Sequence, residues 1–208
     1  FAHCAAYETL KKVNATFQVG FTENLVHFEP YDKKPHNVLL LYLLKWWRNN
    51  PFLKNFLAAS DFIGLQHYFH TRVRFGPHSQ WWVQYNENRR VSDFGWEIHP
   101  ESIYHVLKEL SAYQKPIVVT ENGLADARDH YRGVYIREHV AQIGKETQEG
   151  VDVRGYFHWA LLDNFEWDKG FWPRFGLVDV DHQTLERKIR PSAWQYKEII
   201  EASAIEIP

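Results

Sequence analysis

Four short apolar runs recur along the chain and alternate with longer segments of helical spacing. The runs span residues 17–21, 61–68, 116–123 and 155–159, and they are rich in β-branched and aromatic residues. Apolar and polar positions do not alternate strictly within them, which is typical of strands buried on both faces of a parallel sheet. The pattern therefore predicts an α/β fold with four parallel strands.

Apolar residues at helical spacing fill the segments between these runs. The predicted helices cover residues 1–13, 37–47, 52–59 and 132–149, and two more begin at Pro100 and Pro191. Proline is well tolerated in the first turn of a helix. One helix precedes the first strand and helical sequence follows each strand, which amounts to half of a (β/α)8 barrel.

Two long segments have no clear period. Residues 69–95 are polar and aromatic, and a loop of that length in a compact domain is commonly a binding loop or lid. A second loop runs from the end of the fourth strand to residue 190. Because both follow the carboxyl end of a strand, they are expected at the rim where parallel α/β folds keep their sites.

A carboxylate stands at the end of the third apolar run, in residues 116–123 (PIVVTENG). A charge at the lip of a buried strand costs free energy unless it is paired, hydrogen-bonded or used in chemistry. From this strand alone, Glu121 is either a functional group or a cap of the following turn.

A second stretch changes the balance between these interpretations. Residues 154–167 (RGYFHWALLDNFEW) begin as a strand and continue into a loop rich in acidic and aromatic residues. Together with residues 119–123 (VTENG), they resemble family 1 of the glycoside hydrolases, the retaining β-glucosidase-like enzymes. The resemblance continues through residues 174–181 (RFGLVDVD) and 190–193 (RPSA), and it covers nearly the whole chain.

The resemblance implies a (β/α)8 TIM barrel of which this chain supplies about the last four βα units and the preceding helix. Residues 1–208 are then the C-terminal half of a single catalytic domain. An open four-stranded sheet would expose its edge strands, so a partner is expected, namely the N-terminal half-barrel segment. The chain contains no methionine, even at position 1, and is therefore expected to be a piece of a longer protein.

The resemblance also implies roles for particular side chains, with a β-linked glycoside as substrate. Glu121 is the expected nucleophile, which forms a covalent glycosyl-enzyme, and Tyr68 matches the tyrosine whose hydroxyl contacts it. The expected substrate-binding residues are Trp159, Glu166, Trp167, Phe175 and Trp96. A carboxylate accepts hydrogen bonds from vicinal hydroxyls, and an indole face suits the C–H face of a pyranose.

Structural alternatives stay open for the aromatic residues. Trp159 and Trp167 are alternatively packing at the barrel rim. Phe175 is alternatively a core residue, and Trp96 a buried aromatic of the lid.

The chain departs from the family pattern in two places. Residues 64–68 (GLQHY) replace the usual Gly-x-Asn-Tyr-Tyr, which puts in doubt the contacts of Gln66 and His67 but not the assignment of Tyr68. The family's acid/base glutamate lies in an Asn-Glu-Pro motif that this chain lacks. The nearest imitation, residues 86–88 (NEN), falls in the loop after the second strand and is expected to be solvated, so the acid/base is expected from the N-terminal half.

Composition limits the other partners. Lys and Arg total 24 against 26 acidic residues, and the absence of a basic face argues against a nucleic acid. No apolar run approaches the roughly 18–20 residues that a membrane span needs. The single Cys4 excludes an internal disulfide and favours a reducing compartment, so a cytoplasmic location is expected.

The histidines show no spacing typical of metal ligands. His67 and His70 are three residues apart, a separation that does not place them on one face of a strand. No metal or cofactor is expected.

Three classes of function remain. The first is a retaining β-glycosidase that acts on β-glucosides or β-galactosides. The second is an inactive or carbohydrate-binding relative, and the third is a half-barrel scaffold. A glutamate supplied near Glu121 by a second segment separates the first from the second, and folding of the isolated chain tests the third. A scaffold needs none of Glu121, Glu166, Trp159 and Tyr68, so the first class is favoured.

Overall fold

The computed structural model describes residues 2–49, 53, 56–75, 82, 83 and 90–202. In chain order its elements are α1 (Ala2–Val13), β1 (Gly20–Asn24), β2 (His27–Pro30), α2 (Pro35–Arg48), β3 (Phe62–Gln66), β4 (His70–Val73), β5 (Trp82–Val83), α3 (Glu101–Ser111), β6 (Ile117–Gly123), α4 (Arg132–Gln148), β7 (Val153–Trp159), β8 (Val178–Val180), β9 (Arg187–Ile189) and α5 (Pro191–Ala202). Short 3₁₀ turns lie at Leu57–Ala59 and Trp167–Lys169.

The four predicted strands form one parallel sheet in the order β1, β3, β6, β7. Consecutive strands are thus neighbours, as in the wall of a barrel. Ile63 and Leu65 of β3 and Ile117 and Val119 of β6 are fully buried beneath the helices. The prediction of four parallel strands is confirmed, but burial is confined to the two central strands, since β1 and β7 contain no buried residue.

Helix α3 shows how the sequence pattern becomes packing. Pro100 precedes the helix and Glu101 lies in its first turn, where a negative charge complements the helix dipole. Its apolar side chains recur on one face and are buried against the sheet: Ile103, Val106, Leu107 and Leu110. Helix α4 packs beside α3 and contacts β6 and β7.

A glycine allows β6 and β7 to come together at their carboxyl ends. A Cβ atom on Gly123 would lie 2.0 Å from the carbonyl oxygen of Trp159, a distance that no side chain tolerates. This close approach brings the end of β6, with Glu121, next to Trp159 at the end of β7.

The first strand begins three residues later than the apolar run that predicts it, and it ends at Asn24, within the residues 22–24 where the sequence predicts its end. β1 spans Gly20–Asn24, whereas the apolar run covers residues 17–21. Phe17 lies ahead of the sheet and is partly exposed, and pairing with β3 begins at Gly20 opposite Phe62. Only Gly20 and Phe21 of the apolar run are therefore paired in the sheet.

The segment predicted as one long loop contains two strands of a second sheet. Within residues 69–95, β4 pairs in parallel with β2 and antiparallel with β5. These strands show no alternation of apolar and polar residues, because β2 and β4 carry ionic side chains, such as Glu29 and Arg72, that pair with one another. The loop before residue 190 likewise contains the antiparallel strands β8 and β9. Residues 86–88 lie outside the described part of the chain.

Apolar side chains are exposed at the two edges of the main sheet. Among the described strands, β1 and β7 each have one neighbour in the main sheet. Helix α1 buries no residue, and Phe157 on β7 is 61% exposed. Within the described residues, no helix is long and apolar enough to cross a membrane.

Candidate active site

The side chains singled out in the sequence meet at one cavity of about 410 Å³ beside the carboxyl ends of the strands. The cavity is lined by all of the predicted site residues: Tyr68, Trp96, Glu121, Trp159, Glu166, Trp167 and Phe175. Asn24, Gln66 and Phe69 complete the lining. All four strands of the main sheet thus contribute a residue to the lining, and the loops that follow them supply the rest.

Glu121 is held by a tyrosine. The hydroxyl of Tyr68 donates a hydrogen bond to Oε2 of Glu121 at 2.5 Å. Burial and this hydrogen bond raise the pKa of Tyr68 above its ordinary value, so the hydroxyl keeps its proton and remains a donor. A donor at this distance stabilises the ionised carboxylate, which is the form that a nucleophile needs.

A buried amide holds the strand end that carries Glu121. Asn122 is fully buried, and its Nδ2 donates to the carbonyl of His67 at 2.6 Å and to the hydroxyl of Tyr135 at 2.8 Å. Its Oδ1 accepts from the hydroxyl of Tyr156 at 3.0 Å. Sequence reasoning gave Asn122 no role. Its place next to Glu121 in the VTENG motif was the available signal.

The two departures from the family pattern have different outcomes. Gln66 lines the cavity, directly beside the end of β6. His67 points away and is fully buried, with its ring nitrogens 2.8 Å from the carbonyl oxygen of Leu25 and 2.7 Å from Oγ of Ser102. Only Gln66 is therefore placed to contact a ligand.

Glu166 and Trp167 lie on a tight turn beside the cavity. The backbone N–H of Glu166 donates to the carbonyl of Gly170 at 2.7 Å and closes the turn. Burial raises the pKa of Glu166, and the nearby charges of Glu121 and Asp168 raise it further. Trp167 is 82% exposed, so it does not serve as rim packing within the described residues.

The other aromatic residues form the wall of the cavity. Phe175 is buried in a cluster with Ala125 and Ala160, and its ring meets that of Tyr68 edge-on at 6.1 Å. It is therefore a core residue as well as a lining residue. Trp96 is partly buried, and its ring stacks on that of Phe69 at 4.6 Å. Trp96 is therefore both a packed aromatic residue of the loop and a lining residue of the cavity.

A buried ion pair anchors the loop that carries Glu166. Arg190 donates to both carboxylate oxygens of Asp163, at 3.1 and 3.0 Å, and the N–H of Gly176 donates to Oδ1 at 2.8 Å. Burial opposes ionisation of Asp163, but the hydrogen bonds from Arg190 and Gly176 outweigh it and lower the pKa. The pair joins the loop to the start of α5.

We expect Asp163→Asn to destabilise the protein by roughly 3 kcal/mol, because a buried Arg190 loses its main charge partner. This value is the lower end of the range for breaking a buried ion pair, because Asp179 still accepts a hydrogen bond from Arg190 at 2.8 Å. Urea unfolding measures the loss. The pKa of Asp163 is lowered in the fold, so the wild-type advantage should be full above pH about 4 and shrink below it.

Asp152→Asn is the matched control for this prediction. Asp152 pairs with Arg154 at 2.8 Å, but both side chains are more than half exposed. Its replacement should leave the unfolding curve unchanged, as expected for a surface pair. Equal losses for the two variants would contradict the anchoring role of Asp163.

Among the described residues, only two carboxylates line the cavity, those of Glu121 and Glu166. A retaining glycosidase places a nucleophile and an acid/base about 5–5.5 Å apart. If Glu166 binds sugar hydroxyls, as the resemblance implies, the acid/base has to come from residues outside this cavity lining.

A parallel α/β sheet with a carboxylate and indoles at the carboxyl ends of its strands has the arrangement in which (β/α)-barrel proteins keep their functional sites. Residues 50–205 match the family model described as glycosyl hydrolase family 1. The chain belongs to this family, which confirms the resemblance.

Several relatives are similar along almost the whole chain. Beta-glucosidase A of Thermotoga maritima is 30% identical, with 99% of this chain and 55% of the relative covered. A beta-galactosidase of Saccharolobus solfataricus is 34% identical, with 98% and 47% covered.

Solved structures agree with the sequence relatives. The crystal structure of Fpglu1 from Fervidobacterium superposes with a TM-score of 0.89 at 32% identity, covering 99% of this chain and 48% of that one. The solved relatives are family 1 (β/α)8 barrels, so the predicted fold class is confirmed. The chain spans about half the length of the relatives it matches.

Proposed function

We propose that this chain is the C-terminal half of a retaining β-glycosidase that hydrolyses β-glucosides or β-galactosides. The observation that carries the proposal is the Tyr68–Glu121 hydrogen bond at the floor of a cavity lined by indoles and a second carboxylate. Relatives named beta-glucosidase and beta-galactosidase support the same substrate class.

In the proposed reaction, a carboxylate oxygen of Glu121 attacks the anomeric carbon. The bond to the aglycone oxygen breaks, and that oxygen takes a proton from the acid/base glutamate. Water then attacks the anomeric carbon of the glycosyl-enzyme and gives its proton to the same glutamate, which frees Glu121. Both steps invert the anomeric centre, so the product keeps the β configuration.

The remaining cavity residues hold the sugar. Glu166 accepts hydrogen bonds from two neighbouring hydroxyls, and Trp159 and Trp167 offer apolar faces to the ring. Trp96 and Phe69 lie at the side of the cavity where the aglycone leaves. Burial raises the pKa of Glu166, and the charge of Glu121 raises it further, which fits two carboxylates facing one sugar.

The proposed partner is the N-terminal half of the barrel, which supplies the acid/base glutamate. Three observations support it: the coverage of about half of each relative, the open edges of β1 and β7, and the exposed apolar side chains beside them. The expected cytoplasmic location stays a prediction.

Labelling tests the proposal directly. A 2-deoxy-2-fluoro-β-glucoside with a good leaving group should inactivate the complete protein and attach to Glu121, because the fluorine slows hydrolysis of the covalent intermediate. Peptide mass spectrometry locates the label, and the stereochemistry of the product is followed by NMR. A label on another residue, or an inverted first product, would refute the assignment.

Glu166→Ala should lower kcat/KM on a β-glucoside by about one to two orders of magnitude for each hydroxyl contact, or about two to four for both. Hydrogen bonds to a charged acceptor contribute roughly 1.5–3 kcal/mol each, and about 1.4 kcal/mol corresponds to a factor of ten. The loss should be smaller for deoxy analogues that lack one of the contacted hydroxyls.

Asp168→Ala is the matched control for Glu166. Asp168 lies on the same turn, and its side chain is 78% exposed. This variant should keep the wild-type kcat/KM. Equal losses of Glu166→Ala on the full sugar and on its deoxy analogues would mean that Glu166 only shapes the loop.

A further inference from the structure

Three ionisable side chains that are distant in sequence meet beneath the cavity wall. Glu29 of β2, His70 of β4 and His99, which precedes α3, each place a potential ligand atom within 4.8 Å of the others. The sequence offered no such grouping, because the three residues come from separate elements that only the second sheet and α3 bring together.

His70 has the hydrogen-bonding arrangement of a metal ligand. Its Nε2 lies 2.7 Å from Oε2 of Glu97, and the side chain is 2% exposed. A histidine that binds a metal commonly donates its other N–H to a carboxylate, which fixes the tautomer. When Nε2 donates to Glu97, Nδ1 is the ring nitrogen whose lone pair can bind a metal.

That lone pair faces a carboxylate. Nδ1 of His70 is buried without a hydrogen-bond partner, and it lies 3.7 Å from Oε2 of Glu29. A ring nitrogen without a partner, 3.7 Å from a carboxylate oxygen, leaves room for a metal ion that both groups can bind.

The spacings suit one shared ion. Nε2 of His99 lies 3.9 Å from Oε1 of Glu29, and Nε2 of His27 lies 3.5 Å from the same oxygen. Ligands about 2.1 Å from a tetrahedral Zn²⁺ are about 3.4 Å apart. The 3.7 and 3.9 Å contacts of Glu29 with His70 and His99 are too long for hydrogen bonds and close to the separation of ligands around a common metal.

We propose that Glu29, His70 and His99 form a binding site for a divalent transition-metal ion of the Zn²⁺ or Co²⁺ type. Two imidazoles and one carboxylate suit such ions better than Mg²⁺ or Ca²⁺, which prefer oxygen ligands. The ion ties β2 and β4 to the segment after Trp96. Because Phe69 and Trp96 directly precede His70 and Glu97, the ion braces one wall of the cavity without reaching Glu121.

Two features of the cluster set the conditions for binding. The rings of His70 and His99 are stacked at 4.0 Å and 16°, so His99, whose side chain is 19% exposed, turns out of the stack to direct its lone pair at the ion. Arg72 contacts both Glu29 and Glu97, at 3.3 and 2.7 Å, and its positive charge weakens the affinity for a cation. The site is therefore expected to bind reversibly.

Metal titration of the complete, chelator-treated protein tests the site. Added Zn²⁺ should raise Tm, EDTA should reverse the rise, and Co²⁺ should give visible absorption bands of a low-coordinate nitrogen–oxygen site. His99→Gln and Glu29→Gln should each weaken Zn²⁺ binding by at least about tenfold, since even partners outside the first ligand shell are worth 10–100-fold. His130→Gln, at an exposed histidine, is the matched control and should bind as the wild type does.

His99→Gln also guards against misfolding, because the side chain of His99 is 19% exposed and that of His70 only 2%, and the metal-free Tm of the variant can be compared with that of the wild type. A wild-type Tm that does not respond to Zn²⁺ overturns the proposal. So does an equal response of the wild type and both ligand variants, which would assign the effect to surface histidines. Neither result depends on glycosidase activity, so the test is independent of the proposed function.

Discussion

Glu121→Gln abolishes hydrolysis in the complete protein, with an expected loss of several orders of magnitude in kcat. The amide is nearly isosteric and still accepts the hydrogen bond of Tyr68, so the fold and the cavity should persist. What disappears is the negative oxygen that attacks the anomeric carbon, and covalent catalysis disappears with it. The decisive measurement is the rate on an aryl β-glucoside, with Tm as the check on folding.

A second variant separates a nucleophile from a merely structural carboxylate. Glu121→Ala leaves room beside the anomeric carbon, and added azide should restore turnover and give the glycosyl azide of inverted, α configuration. Glu149→Gln is a suitable control, since Glu149 lies beyond the far end of α4, where Lys108 pairs with it. Wild-type activity in Glu121→Gln would show that another residue attacks the sugar.

The isolated 208-residue chain shows no appreciable glycosidase activity, which is the second large effect expected. The departing aglycone oxygen needs a proton, and general acid catalysis contributes about 10²–10⁴-fold. The four-stranded sheet also leaves the surroundings of Glu121 open to water, which weakens the electrostatic interactions that catalysis uses.

Complementation measures this prediction. Adding a segment with the remaining strands and an Asn-Glu-Pro glutamate should restore turnover on an aryl β-glucoside. The same segment with that glutamate replaced by Gln should restore closure, seen as a higher Tm, but not the rate on substrates with poor leaving groups. Full activity of the isolated chain would make Glu166 the first residue to re-examine as the acid/base.

Local pattern determined much of the fold and of the site. The apolar run before Glu121 is buried by α3 and α4, and its strand character does not depend on distant ionic contacts, so β6 was predictable within one residue. The motif residues converge on the cavity because parallel strands bring their carboxyl ends to one edge. Both inferences rest on apolar periodicity and topology, which the order of residues encodes directly.

The hydrogen bonds and ion pairs between polar groups of different elements could be seen only in the tertiary structure. Asn122 acquires its positioning role through Tyr135 and Tyr156, and Asp163 its anchoring role through Arg190. Strands β2 and β4 lack an apolar period because they bury charges that find partners across the second sheet.

The cluster of Glu29, His70 and His99 is the clearest case, since each residue alone is unremarkable in sequence. A buried polar group is stable only with its partner, and the partner is chosen by the fold rather than by neighbouring residues. By itself the sequence therefore determined the four strands of the main sheet, the helices that cover it and the residues of the motifs. The ion pairs and hydrogen bonds that hold those residues in place depend on the tertiary structure, because it brings together partners that are distant in sequence.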